Sequence, residues 1–205
     1  MSDNFRDTYW DSIHESKGRD VSWWQTADQL WMDVVESTGL THGGVVDVGA
    51  GQSEFLIAMH TRGFQPLYAN DISASALSEL KKQAATEGVT LFAFAGDVTA
   101  LELPETVELW HDRAVFHFFV EEENQLAYKA ALSRNTHIGS FAIISTFSPR
   151  GPETCSGLPV QRWSADELVA FFGTSWELTN STVREHHTPW DSAQEFTTVV
   201  LQRIN

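Results

Sequence analysis

Four places in the chain set polar side chains at the end of an apolar run. Val45-Val46-Asp47-Val48 leads into Gly49-Ala50-Gly51-Gln52-Ser53, and the other runs end at Asn70-Asp71, Gly96-Asp97-Val98 and His111-Asp112-Arg113. Glycine lets a backbone turn sharply and lie close to a ligand. A carboxylate is acceptor-only and takes two hydroxyls at once, so Asp71, roughly twenty residues beyond Asp47, suits a ribose. Asp97 could accept from an adenine amino group while the Val98 amide donates to a ring nitrogen. A dinucleotide turn would want a third glycine where Glu54 stands, and a carboxylate is a poor neighbour for pyrophosphate. The turn holds no Lys or Arg either, so the cradle suits a nucleoside without phosphates, ideally one with a cationic group. His111 is the candidate general base, because imidazole titrates near neutrality.

The elements that must position these groups follow from periodicity and punctuation. Asn4 to Ser16 and Gln25 to Thr38 read as helices, the second with Leu30, Val34 and Val35 on one face and Ser22 as a candidate N-cap. Strands are expected at 44–48, Pro66 to Ala69, Val89 to Ala95, Thr106 to Trp110 and Ile138 to Thr146. Helices are expected up to Arg62, from the Ser73 cap to near Gly88, over Glu121 to Asn135, and from the Ser164 cap to Phe172. Trp176 to Val183 and Phe196 to Gln202 close the chain as two strands, joined by a loop holding His186-His187-Thr188-Pro189-Trp190. Strand and helix alternation predicts a mostly parallel sheet with helices on both faces. The last two strands lack an intervening helix and should pair antiparallel at one edge. In such sheets ligands bind beyond the carboxyl ends of the strands, where all four polar groups fall. The loop over 148–163 is long for a compact domain, a length that usually carries function.

The 205 residues suffice for one domain with a real core, and 42% hydrophobic residues with 8 Trp and 13 Phe mark a globular chain. A net charge of -15 with scattered Lys and Arg repels phosphate backbones, so nucleic acid is not an expected partner. Cys155 is the single cysteine, which excludes an intrachain disulfide and fits a reducing cytoplasm. No apolar run approaches a membrane span and the N-terminus lacks a signal core, so we expect a cytoplasmic monomer or dimer with no membrane partner. No His/Cys spacing suggests a metal site.

Taken together, the stretch 45–53, Asn-Asp-Ile-Ser at 70–73, Ala-Gly-Asp-Val at 95–98 and Trp-His-Asp-Arg at 110–113 resemble the motifs of class I S-adenosylmethionine-dependent methyltransferases. They keep that family's order and spacing from about 44 to 147. The resemblance implies an α/β, Rossmann-like seven-stranded sheet with the last strand antiparallel. It implies one domain, with a helical cap over 1–40 and the core over 41–205. By the same resemblance, Asp47, Gly49 and Gly51 line the methionine and ribose side of S-adenosyl-L-methionine. Asp71 with Ile72 meets the ribose, Asp97 and Val98 the adenine, and His111 sits beside the methyl-donor pocket. Tyr9-Trp10 and Ser22-Trp23-Trp24-Gln25 are similar to the N-terminal cap of the small bacterial members, which sets Trp24 by the cofactor and Trp23 by the substrate.

The acceptor is less legible. Arg150 and Arg162 flank the long loop and could clamp a carboxylate, and His186 is a weaker base candidate. Small size and an aromatic cap favour a small-molecule acceptor, attacked at N, O or S by in-line displacement. A protein lysine methyltransferase and a non-catalytic cofactor-binding module are the alternatives. Several residues have a plain structural reading beside the functional one. Asp47 could cap amides near the turn, Asp112 and Arg113 could form an ion pair, and His117 among phenylalanines reads as a core histidine.

Overall fold

The computed structural model describes residues 3–17, 29–188 and 193–205; Trp23, Trp24, Pro189 and Trp190 lie outside these. Helices α1 (Asp3–Lys17) and α2 (Gln29–Glu36) precede β1 (Val45–Val48), α3 (Phe55–Thr61), β2 (Leu67–Asp71), α4 (Ala74–Thr86) and β3 (Phe92–Ala95). Then come β4 (Val107–Arg113), α5 (Glu122–Arg134) and β5 (Thr136–Phe147). A small hairpin, β6 (Thr154–Cys155) and β7 (Leu158–Pro159), leads to α6 (Ala165–Phe172), β8 (Trp176–His187) and β9 (Ala193–Arg203). The main sheet has seven strands in the order β3-β2-β1-β4-β5-β9-β8. Strand β9 runs antiparallel to both its neighbours, and β1 to β5 pair in parallel. This is the mostly parallel sheet with an antiparallel closing pair expected from the alternation, and the Rossmann-like seven-stranded sheet implied by the resemblance. The strand order reverses direction between β1 and β4, which is where such sheets bind ligands.

The core forms on both sides of the sheet because successive strand residues point to opposite faces. Val45, Leu109, Ile143 and Val200 pack with α2, α3 and α4. Val46, Trp110, Ile144 and Leu201 pack with α5 and α6. Of the three predicted serine caps, Ser22 lies outside the described residues and the other two form. The Ser73 hydroxyl accepts from the Ala76 amide, and Ser164 makes a reciprocal capping box with Glu167.

Three expectations need correction. His186 and His187 belong to β8 and pair with Gln194 and Ala193 rather than lying in a loop. An antiparallel edge ladder is made by backbone groups, so a polar, exposed strand can be misread as loop. Strand β4 continues to Arg113 instead of stopping at Trp110, since its last polar residues are turned into the protein. The long loop is not structureless, because it folds back as the β6–β7 hairpin.

Candidate active site

The turn after β1 has a geometry that only glycine meets at low cost. Gly49 and Gly51 sit at φ 65 and 49 degrees, in the left-handed region. A Cβ at Gly49 would come within 2.1 Å of a Val115 methyl, and one at Gly51 would stand 3.3 Å from the His14 ring. Asp71 ends β2 beside this turn. Its carboxylate accepts from the Gly51 amide at 2.7 Å and the Ser73 amide at 2.8 Å. Burial raises its pKa, while these amide donors pull the other way. Asp97 follows β3 and accepts from the Thr99 amide at 2.8 Å and the Thr99 hydroxyl at 2.7 Å through Oδ1.

Asp47 and His111 are brought together by sheet register. They are paired positions on the adjacent strands β1 and β4. His111 Nδ1 donates to Asp47 Oδ1 at 2.6 Å, and both side chains are buried. The Phe55 ring stacks on the imidazole, with centroids 3.8 Å apart. A carboxylate on Nδ1 fixes the tautomer and puts the basic lone pair on Nε2. Asp47 is thus engaged by a side chain, not used as an amide cap.

Asp112 points to the opposite face of the sheet from Arg113, as strand alternation requires, so the two do not form the ion pair considered above. Its carboxylate accepts from the Tyr128 hydroxyl at 2.6 Å and from the amides of Val115 and Phe116 at 2.9 and 3.0 Å. Ala114, at φ 68 degrees, makes the turn that aims those amides back. Burial nevertheless dominates and pushes the Asp112 carboxyl from 3.8 up to about 6. The folded protein therefore holds this proton more tightly than the unfolded chain. The resulting stability is fully present below about pH 4 and lost as pH rises through about 6, on the order of 3 kcal/mol. Asp112→Asn does not titrate. Urea unfolding should show wild type losing stability relative to this variant between pH 4 and 7, and a constant difference would refute the assignment.

The glycine turn, Asp47, Asp71, Asp97 and His111 line one cavity of about 470 Å³, within the usual range of small-molecule sites. Gly49, Gly51, Asp71, Ile72, Asp97 and Val98 line it, together with Asp47, His111 and Arg113. Trp10 and His14 of α1, and Cys155, Leu158 and Pro159 of the hairpin, also line it. Helix α1 is held in place from two sides. Asp11 accepts from the Ser73 and Ser75 hydroxyls at 2.6 and 3.0 Å, and the Tyr9 hydroxyl donates to the Ser156 carbonyl. The Cys155 thiol is pushed up to about 11 by burial, so it stays protonated at neutral pH.

Of the residues singled out from the sequence, the cavity wall gathers Asp47, Gly49, Gly51, Asp71, Ile72, Asp97, Val98 and His111. Arg150, Arg162 and His186 are not among its lining. Arg150 pairs with Glu195 at 2.6 Å, and Arg162 with Glu153 at 3.2 Å. Trp23 and Trp24 fall outside the described residues. His117 is fully buried against Phe118 and Phe147, and desolvation drops it to about 3, as befits a core histidine. Sequence reasoning put Trp10 in the cap but missed His14 as a wall residue, although their i, i+4 spacing on a helix puts the two on one face. It also missed Arg113, whose strand-end position two residues after His111 was the available signal.

The strand order and the glycine turn after β1 match the class I methyltransferase fold. Residues 45–136 match the family model described as a methyltransferase domain. That segment is similar to a methyltransferase domain, and the chain as a whole has the fold of S-adenosylmethionine-dependent methyltransferases. One similar structure comes from work on conversion of a disulfide bond into a thioacetal group during echinomycin biosynthesis; it is 20% identical, covers 97% of this chain and 93% of that one, with a TM-score of 0.79. The Burkholderia thailandensis 1,6-didemethyltoxoflavin-N1-methyltransferase, solved with 1,6-didemethyltoxoflavin and S-adenosylhomocysteine, is 14% identical over 100% and 92% of the chains, TM-score 0.70. An S-adenosylmethionine-dependent methyltransferase from Clostridium acetobutylicum is 12% identical over 98% and 99%, TM-score 0.68. At these identities the likeness is one of fold. No curated protein matches the chain by sequence. The residues present fit the cofactor: a glycine turn that side chains would fill, no phosphate-binding cation in that turn, and buried strand-end carboxylates in the same wall. Among the described residues no helix is long and apolar enough to cross a membrane, and no group of three or more His, Cys, Asp or Glu could hold a metal.

Proposed function

We propose that the chain methylates an N, O or S nucleophile of a small molecule by in-line displacement. The observation that carries this reading is the cover on the cavity. Helix α1 and the β6–β7 hairpin both contribute to its lining and are tied to each other through Tyr9 and Ser156, an enclosure that suits a small acceptor better than a lysine on a folded partner. The Burkholderia neighbour, which holds a small heterocycle, supports the same class.

S-adenosylmethionine, when bound, supplies an electrophilic methyl on a sulfonium. The work of this chain is then to hold and orient. Asp71 and Ile72 take the ribose end, and Asp97 and Val98 the adenine. Asp47 fixes the His111 ring, which accepts the acceptor's proton at Nε2 where one must leave. Such positioning can account for roughly 7–11 kcal/mol of a barrier. In this reading residues 1–205 act as one domain, capped by 1–40, in a reducing cytoplasm and as a monomer or dimer without nucleic acid. A labelled-methyl assay against metabolite extracts and lysate proteins tests it. Label should enter small molecules; incorporation into protein would replace this reading with the lysine one, and cofactor binding without any turnover would leave only a binding module.

A further inference from the structure

We propose that the acceptor carries a carboxylate or equivalent oxyanion, separate from the atom methylated, and that Arg113 is the residue that grips it. This rests on the small-molecule reading above. Among the described residues lining the cavity, Arg113 is the only Arg or Lys, against Asp47, Asp71, Asp97 and Glu121. Its position in the sheet decides which end it serves. The acids assigned to the nucleoside end β2 and follow β3, on one side of β1. Arg113 ends β4 on the other side, and its guanidinium lies 5.8 Å from the Phe196 ring centre on β9, two strands further along. That contact turns the charge toward the β9 side of β4 and away from β2 and β3, whose ends carry those acids.

The surroundings suit anion recognition. Arg113 is flanked by Asp47 and by Cys155 of the hairpin, and burial lowers its pKa only to about 10, so it is charged at neutral pH. Trp10, Phe118, Leu158 and Pro159 supply apolar wall in the same cavity. A guanidinium fork set in an apolar wall matches a planar carboxylate bidentately. Holding a non-reacting carboxylate orients the acceptor without quenching its nucleophile.

The test is calorimetry on protein saturated with S-adenosylhomocysteine, using benzoate and phenylacetate against the neutral benzamide and phenylacetamide. The carboxylates should bind at least tenfold more tightly than their amides. Arg113→Met should erase that difference while S-adenosylhomocysteine affinity stays within threefold, and Arg113→Lys should retain part of it. Equal binding of acid and amide by the wild type, a comparison that needs no variant, would overturn the acceptor class alone. A tenfold or greater loss of S-adenosylhomocysteine affinity in Arg113→Met would also overturn it, since Arg113 would then hold the cofactor's own carboxylate. Failure of the wild type to bind S-adenosylhomocysteine would strike the underlying reading instead.

Discussion

Asp71→Ala is expected to weaken S-adenosylhomocysteine binding by about a hundredfold or more. A hydrogen bond to a charged acceptor is worth about 1.5–3 kcal/mol, and a ribose offers two hydroxyls to this carboxylate. At about 1.4 kcal/mol per decade, losing both gives roughly 10²–10⁴ in affinity. The carboxylate has a second duty, because it binds the amides of Gly51 and Ser73 and so ties the glycine turn to the start of α4. Asp71→Asn preserves the size of the side chain and reduces only its accepting capacity. It should therefore lose less affinity than the alanine variant but still at least tenfold. Titration calorimetry measures both, with thermal unfolding of the free protein to separate loss of the turn from loss of the ligand contact. Unchanged affinity in either variant would refute the ribose role.

His111→Ala is expected to lower kcat by about 10²–10⁴, the usual range for a lost general base, while sparing S-adenosylhomocysteine affinity. The expectation rests on the fixed ring. Asp47 holds Nδ1 at 2.6 Å and Phe55 stacks on its face, so the imidazole has one orientation in the wall of the cavity. Asp47→Asn removes the charge that selects the tautomer and should also slow turnover, with the ring still present. Steady-state kinetics on the acceptor found by the labelled-methyl screen gives the values. Full activity in His111→Ala would remove it as a base and leave positioning of the reactants as the whole of the chemistry.

The part of the site written in local sequence was legible. Gly49 and Gly51 after an apolar run, and acids at the ends of later runs, are short-range patterns. Ser73 and Ser164 announced their helices for the same reason, because a cap acts on amides two or three residues away. The edge strand β8 was only half legible. Its polar, exposed C-terminal half forms because β9 offers it a backbone partner, and no side-chain pattern records that.

Sequence by itself determined the sheet, the closing antiparallel pair and the glycine turn of this protein, because hydrophobic period, glycine and caps act over a few residues. Tertiary structure alone decided the rest of the candidate site. It paired Asp47 with His111 through strand register and spent Arg150 and Arg162 on nearby acids. It also turned Arg113 inward by strand alternation, and folded the hairpin over α1. Those contacts join residues far apart in the chain, and their partners are fixed by how strands and loops meet in space.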